Sequence, residues 1–148
     1  MEGRAGSARP LFLVIVHNFI ICVIYLFTAG APLGFPLGAL ALVGSGEYTP
    51  AMDTTDRWLI EGLGGPALAR VALIPAASGL EEGQPERWNA MGAAHFTALG
   101  ARANPLRLIH REDALDQATA AALREATFFY FSGGNPEYLA QTLEGTPA

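Results

Sequence analysis

The sequence predicts a doubly wound α/β domain, in which helices cover both faces of a parallel sheet. From residue 36 onward, four short apolar segments alternate with four helical patterns. The first, second and fourth segments are continuously hydrophobic instead of alternating, which is typical of parallel strands buried on both faces. At 148 residues, the chain has the length of one such domain.

Each strand is predicted from an apolar run, and each helix from the residues at its ends. Asn135 is a favoured N-cap, and Pro136 and Pro85 suit the first helical position because they need no backbone N–H there. The predicted strands are 38–43, 70–74, 105–109 and 127–131, and the four helices begin near residues 54, 85, 113 and 136.

A long hydrophobic run precedes this domain, because residues 11–29 read LFLVIVHNFIICVIYLFTA. As a helix, this run would span about 28 Å, close to the hydrocarbon thickness of a bilayer. We therefore predict an N-terminal hydrophobic helix within a segment 1–35, separate from the domain at 36–148. Three interpretations stay open: a signal anchor, a signal peptide cleaved near Ala29-Gly30-Ala31, and upstream sequence translated from a mis-assigned start near Pro36. An anchor would attach the protein to the membrane, and otherwise we expect a cytoplasmic protein.

Charge and cysteine content exclude several classes of function. The net charge is −5, and the nine basic residues are scattered arginines without a patch that would bind nucleic acid. Cys22 is the single cysteine, so the chain has neither an internal disulfide nor a cysteine zinc site. His110 follows the third predicted strand but has no second ligand nearby in sequence, and His95 is predicted to be a packed helix residue. We expect neither a metal nor a cofactor.

Two glycine-rich loops are placed where ligands bind in such sheets, beyond the carboxyl ends of the strands. The first loop is Gly44-Ser45-Gly46-Glu47, which matches neither phosphate-binding glycine motif. Because Glu47 would repel a phosphate at the cleft mouth, nucleotide binding is disfavoured. The alternative interpretation is that these glycines only permit a tight turn.

The second loop, Ser132-Gly133-Gly134-Asn135, carries the stronger signal for chemistry. Its small residues leave backbone N–H groups open beside the positive N-terminus of a helix, where an oxyanion or carboxylate would be stabilised. The alternative is a plain turn with Asn135 as the helix cap. The remaining serines are Ser7, Ser45 and Ser78, and none of the four lies in a G-x-S-x-G elbow. No triad can be assembled from the sequence.

The order of these segments resembles the cyanophycinase and dipeptidase E family of serine peptidases. The resemblance is carried by LALVGSGE at 40–47, LIPAAS at 73–78 and FYFSGGNP at 129–136, and it extends over about residues 38–146. It implies a class I glutamine-amidotransferase-like domain with a flavodoxin-like sheet. By the same resemblance, the N–H of Gly134 belongs to the oxyanion hole, while Gly133 and Asn135 shape the substrate turn.

The resemblance also implies that the nucleophilic serine lies in an elbow on the next strand, beyond Ala148, so no catalytic residue is expected within this chain. We predict an N-terminal portion of a peptidase that hydrolyses small acidic, aspartyl peptides, inactive by itself. The alternative is a non-catalytic, membrane-tethered module of the same fold that binds a small anion. The partners expected are a small anionic substrate and, where residues 11–29 form an anchor, a membrane, while a homodimer stays open.

Overall fold

The computed structural model describes residues 12–16, for their backbone, and residues 39–148. These residues form a parallel sheet with helices, which confirms the predicted α/β class. The sheet has five strands in the order β2-β1-β5-β3-β4. The strands are β1 (Phe12–Val16), β2 (Ala39–Val43), β3 (Arg70–Ile74), β4 (Arg102–Pro105) and β5 (Phe128–Phe131).

Five helices accompany the described strands. All are α-helical, and short 3-10 turns at Pro50–Met52 and Ala76–Ser78 follow β2 and β3. The helices are α1 (Asp53–Gly62), α2 (Gln84–Ala98), α3 (Arg111–Leu115), α4 (Gln117–Glu125) and α5 (Pro136–Leu143).

The predicted N-terminal hydrophobic helix is not confirmed. Phe12–Val16, which lies inside the predicted helix, forms strand β1 and pairs in parallel with both β2 and β5. The physical reason is that β-branched and aromatic residues favour strands, so an apolar run of this composition is compatible with an interior strand as well as with a helix. The rest of the run 11–29 lies outside the described residues. Within the described residues, no helix is both long and apolar enough to cross a membrane.

Two further predictions of elements are corrected. The third predicted strand, 105–109, lies instead at Arg102–Pro105, where an exposed edge strand is paired to β3 alone. The helix predicted from Asp113 is divided into α3 and α4, because Asp116 caps a new helix by accepting a hydrogen bond from the backbone N–H of Thr119 at 2.8 Å. The side chain of Asp113 instead accepts from the N–H of His110 at 2.8 Å, ahead of α3.

The core lies on both faces of the sheet, because alternate side chains of β5 point in opposite directions. Phe128 and Tyr130 pack with Phe96 of α2 and with Leu59 and Ile60 of α1. Phe129 and Phe131 belong to a second cluster on the other face, with residues of α4 and α5. Ser132, directly after β5, is also buried. The turn that follows β5 therefore begins at a residue that is held in the protein interior.

Candidate functional site

The turn after β5 is fixed by close backbone packing against the loop after β3. Gly134 has a φ of +148°, and a Cβ at this position would lie 2.2 Å from the carbonyl oxygen of Ala77. Only glycine permits this approach. The backbone N–H of the next residue, Asn135, donates to the same Ala77 oxygen at 2.7 Å. The turn is therefore held in one place before any ligand arrives.

The N–H groups of Gly133 and Gly134 are available at this turn. Neither donates a hydrogen bond to any group in the described part of the chain. In contrast, the N–H of Ser132 donates to Ile74 at 3.3 Å and so completes the pairing of β5 with β3. Unused backbone N–H donors at a fixed turn are the type of group from which oxyanion holes are built.

Asn135 acts as the N-cap of α5, as one of the two sequence interpretations predicted. Its Oδ1 accepts from the backbone N–H groups of Glu137 and Tyr138, both at 3.0 Å. Because the side-chain oxygen is used in this way, Asn135 has only its Nδ2 donors left for a ligand. The positive end of the α5 dipole adds to the field at the turn.

The loop after β3 supports the turn from below. Ser78 is buried and its Oγ donates to the carbonyl of Pro75 at 2.8 Å. Gly79 is needed for close packing, since a Cβ there would lie 2.6 Å from a ring carbon of Tyr138 and 2.8 Å from the oxygen of Ile109. This loop and the turn therefore pack together as one rigid unit.

The cleft loop after β2 is held by a left-handed turn. Gly46 has a φ of +85°, and its carbonyl accepts from the Oγ of Thr49 at 2.6 Å. Tyr48 has a φ of +61°, which is unfavourable for a bulky residue. Its ring compensates by packing 4.7 Å from the ring of Tyr130, measured between centroids. Tyr48 thus draws the loop toward the carboxyl end of β5.

Glu47 is largely buried by this arrangement, with 9% of its surface exposed. Its carboxylate has no hydrogen bond or ion pair to another described residue. Ser45 of the same loop is exposed, whereas Gly44 is buried at the end of β2. Within the loop 44–47, the carboxylate of Glu47 is therefore packed against the protein, whereas the hydroxyl of Ser45 faces solvent.

A buried, hydrogen-bonded pair of side chains, His95 and Asp56, lies beneath Tyr48, and no sequence pattern predicted it. His95 of α2 makes a 2.7 Å hydrogen bond through Nε2 to Oδ2 of Asp56, on α1, and its Nδ1 lies 3.7 Å from Asp53. Asp56 is completely buried, and its Oδ1 has no partner among the described residues. His95 was predicted to be a packed helix residue, and it is buried. Its hydrogen bond to Asp56 was not predicted, because it depends on how α1 and α2 pack together.

Burial raises the pKa of Asp56 above its ordinary value, and the nearby charge of Asp53 adds to the increase, although the hydrogen bond from His95 opposes it. A carboxyl whose folded pKa is raised stabilises the fold when protonated, and that contribution is lost as the pH increases through the folded pKa. Asp56 therefore costs stability as it ionises. Tyr48 and Tyr130 also have raised pKa values, mainly because of burial.

We expect Asp56→Asn to gain stability relative to the wild type as the pH increases from about 4 to neutrality. Thermal unfolding of both proteins between pH 4 and 7.5 measures this difference. Asp116→Asn is the opposite control, because hydrogen bonds from Thr119 lower the pKa of Asp116, so its contribution is lost as the pH decreases. A difference between Asp56→Asn and the wild type that is independent of pH, or that shrinks toward pH 7.5, would contradict the prediction.

None of the described serines is placed as a nucleophile with a base. Ser132 is buried and its Oγ has no partner among the described residues. His110 lies after β4 and its Nδ1 is 2.8 Å from the hydroxyl of Tyr138, which is the side-chain hydrogen bond that this ring makes within the described residues. In the described residues, no group of three histidine, cysteine, aspartate or glutamate side chains is arranged to hold a metal ion.

Comparison with known proteins identifies the family of the chain. A family model described as peptidase family S51 matches residues 40–148, which confirms the resemblance to the dipeptidase E and cyanophycinase family. The chain is similar to the crystal structure of a peptidase from an acI-B1 actinobacterium, with 39% identity and a TM-score of 0.63. The similarity covers 71% of this chain and 44% of that peptidase, so this chain spans less than half of its length. No curated protein matches the chain.

Proposed function

The chain belongs to peptidase family S51, and we propose that it forms the N-terminal part of a serine-type peptidase, supplying the oxyanion turn and one wall of the substrate cleft. The observation that carries the proposal is the turn Gly133-Gly134-Asn135. Its two glycine N–H groups make no hydrogen bond within the described residues, and Gly134 is fixed against Ala77. Such donors stabilise a developing oxyanion because they need no reorganisation during the reaction.

In this proposal the nucleophilic serine is supplied by residues outside these 148. The described serines Ser45, Ser78 and Ser132 have no histidine within hydrogen-bond distance, whereas an activated serine requires a base. Residues 36–148 would then form part of a doubly wound, flavodoxin-like domain. Phe12–Val16, within residues 1–35, pairs with the strands of this domain.

The proposed substrates are small acidic peptides. The amino end of α5 points its partial positive charge at the turn, and this field favours the developing oxyanion and a substrate carboxylate. Glu47 lies at the same edge of the sheet, so the cleft has one electropositive side and one electronegative side. A peptide with charges of both signs fits this arrangement better than a simple anion does.

We expect the purified chain to bind L-aspartyl-L-leucine without hydrolysing it. Mass spectrometry of the peptide after prolonged incubation measures turnover, and isothermal titration calorimetry measures binding. Cleavage that a serine-directed inhibitor abolishes would show that this chain holds its own nucleophile and would overturn the division of roles. Absence of peptide binding would overturn the assignment of the cleft.

The intact mass of the native protein is a second test of the same proposal. A mass clearly above 15.6 kDa, with peptides that continue past Thr146 into a serine elbow, would support it. A native protein that ends at Ala148 with a mass near 15.6 kDa would favour the non-catalytic binding module instead.

A further inference from the structure

A cavity of about 330 Å³ lies between helix α4 and the strands β3 and β4, at the edge of the sheet. Arg70 and Arg102 line it, and they are the first residues of β3 and β4. The turn proposed as the oxyanion site follows the last residue of β5 instead. Because these strands are parallel, the two arginines lie at the opposite end of the sheet from that turn.

The two arginines are neighbours across the parallel pair of strands. Arg70 is the register partner of Arg102, and the next partners along the strands are Val71 and Ala103. Val71 belongs to the first core cluster, and Ala103 packs against that cluster. Side chains alternate along a strand, so both arginines project from the other face, where α4 lies. Adjacent strands are about 4.8 Å apart, and two positive side chains that start at this separation repel each other.

This repulsion is not offset by a neighbouring carboxylate. Within the described residues, no aspartate or glutamate forms an ion pair with either guanidinium. Glu125 of α4 lines the same cavity, but it is the backbone carbonyl of Glu125 that accepts a hydrogen bond from Nε of Arg70. The lining thus carries two positive charges and one negative charge, and it favours an anion.

The donors that face a ligand are already arranged. The bond to the carbonyl of Glu125 fixes the guanidinium of Arg70 and leaves both of its terminal NH₂ groups for a ligand. The guanidinium of Arg102 donates no hydrogen bond to the described residues. Asn104, two residues further along β4, adds a side-chain amide to the lining.

The space in the cavity comes from small side chains. Ala72, Ala122 and Ala126 line it with methyl groups, where longer side chains would fill it. Its volume is at the lower end of the range for small-molecule sites, roughly 300–1,000 Å³. It therefore suits a ligand of a few carbon atoms.

We propose that this cavity binds a small oxyanion with at least two negative charges, a dicarboxylate or a phosphate group, between Arg70 and Arg102. Carboxylate and phosphate oxygens match the paired N–H donors of arginine, and these bonds are stronger than those between neutral groups. A dianion also removes the repulsion between the two guanidinium groups. The site does not depend on the proposed peptidase function, because none of its residues belongs to the cleft.

The test is calorimetric titration of the 148-residue chain with succinate and, separately, with inorganic phosphate. We expect saturable binding of at least one of them, and the one that binds identifies the class of ligand. Arg102→Gln should weaken this binding about tenfold, as expected for loss of a charged hydrogen bond. Arg57→Gln is the matched control, because it removes the same charge from an exposed position on α1, and it should leave the affinity unchanged.

Two results of this titration would overturn the proposal. The first is absence of saturable binding of either anion by the wild type. The second is binding that Arg102→Gln leaves unchanged. Sodium chloride at equal ionic strength shows how much of any effect is general screening, which Arg57→Gln would share with Arg102→Gln.

Backbone amide NMR of the wild type locates the anion without any variant. Succinate or phosphate should shift the amide signals of Ala103, Asn104 and Ala126. Such shifts, together with failure to bind any peptide, would support the anion site and contradict the peptidase function. Shifts confined to Gly133 and Gly134 would place the anion at the turn after β5 and overturn this proposal.

Discussion

Substitution of Gly134 by alanine is expected to lower the free energy of unfolding by about 3 kcal/mol or more. The added Cβ would lie 2.2 Å from the carbonyl oxygen and 2.3 Å from the carbonyl carbon of Ala77, both of which are backbone atoms. Because neither atom belongs to a flexible side chain, the turn must move as a whole. The 2.7 Å hydrogen bond from Asn135 to Ala77 would then be lost. Urea unfolding followed by circular dichroism measures the change.

Gly83→Ala is the matched control for this substitution. Gly83 also has a positive φ, +70°, but nothing lies within 4 Å of a Cβ built there. Its replacement should therefore lower the free energy of unfolding by only about 1–2 kcal/mol, which is the cost of placing an alanine in the left-handed conformation. Equal losses for the two substitutions would contradict the close packing of Gly134 on Ala77. Gly134→Ala should also abolish peptide binding at the turn, while Gly83→Ala should not.

Replacing His95 by alanine should have an effect of similar size, for an electrostatic reason. Within the described residues, the imidazole is the one hydrogen-bond partner of the Asp56 carboxylate, at 2.7 Å, and Asp56 is fully buried. Breaking a buried pair by removing one member leaves an uncompensated charge, which costs about 3–5 kcal/mol. Chemical denaturation of the variant at pH 7 tests this expectation.

A double substitution identifies the cause of that loss. Adding Asp56→Asn to His95→Ala removes the unpaired carboxylate and should restore part of the free energy of unfolding. If the loss came from packing alone, the double variant would be no more stable than the single variant. His110→Ala is the matched control, because His110 is exposed and its side chain is hydrogen-bonded to the Tyr138 hydroxyl. That substitution should cost about 1 kcal/mol.

The turn after β5 could be predicted from the sequence because its signals are local. Asn135 and Pro136 define the start of α5 whatever the rest of the chain does, and two adjacent glycines after an apolar strand indicate a close backbone approach. The sequence does not reveal that Ala77 is the group approached. That contact joins two loops which meet only because β3 and β5 are neighbours in the sheet.

Elements with weak or ambiguous hydrophobic signals were misplaced. β4 reads Arg-Ala-Asn-Pro, since it lies at an edge of the sheet with largely exposed side chains, while the apolar Leu106 and Leu108 that follow it are buried in a loop. The apolar run at 11–29 fits a membrane helix by length and a buried strand by composition. Pairing of Phe12–Val16 with β2 and β5 is a long-range property that local sequence patterns do not contain.

The buried pair of His95 and Asp56 was missed for the same reason. Asp53 and Asp56 read as ordinary acidic residues in the first turn of a helix, and His95 as a packed residue near the end of another. The hydrogen bond between His95 and Asp56 forms only when α1 and α2 pack on the same face of the sheet. The clearest sequence signal in this region is Glu47, which follows Gly44-Ser45-Gly46 and is predicted to be a carboxylate at the cleft mouth.

The proposed function requires that the N–H groups of Gly133 and Gly134 donate to a bound substrate. A backbone amide NMR titration of the chain with L-aspartyl-L-leucine tests it most directly. We expect saturable downfield shifts of these two amide protons, with Gly83 and Gly145 unaffected as exposed glycines of positive φ elsewhere on the chain. Binding that leaves Gly133 and Gly134 unshifted would contradict the assignment of this turn as the oxyanion site.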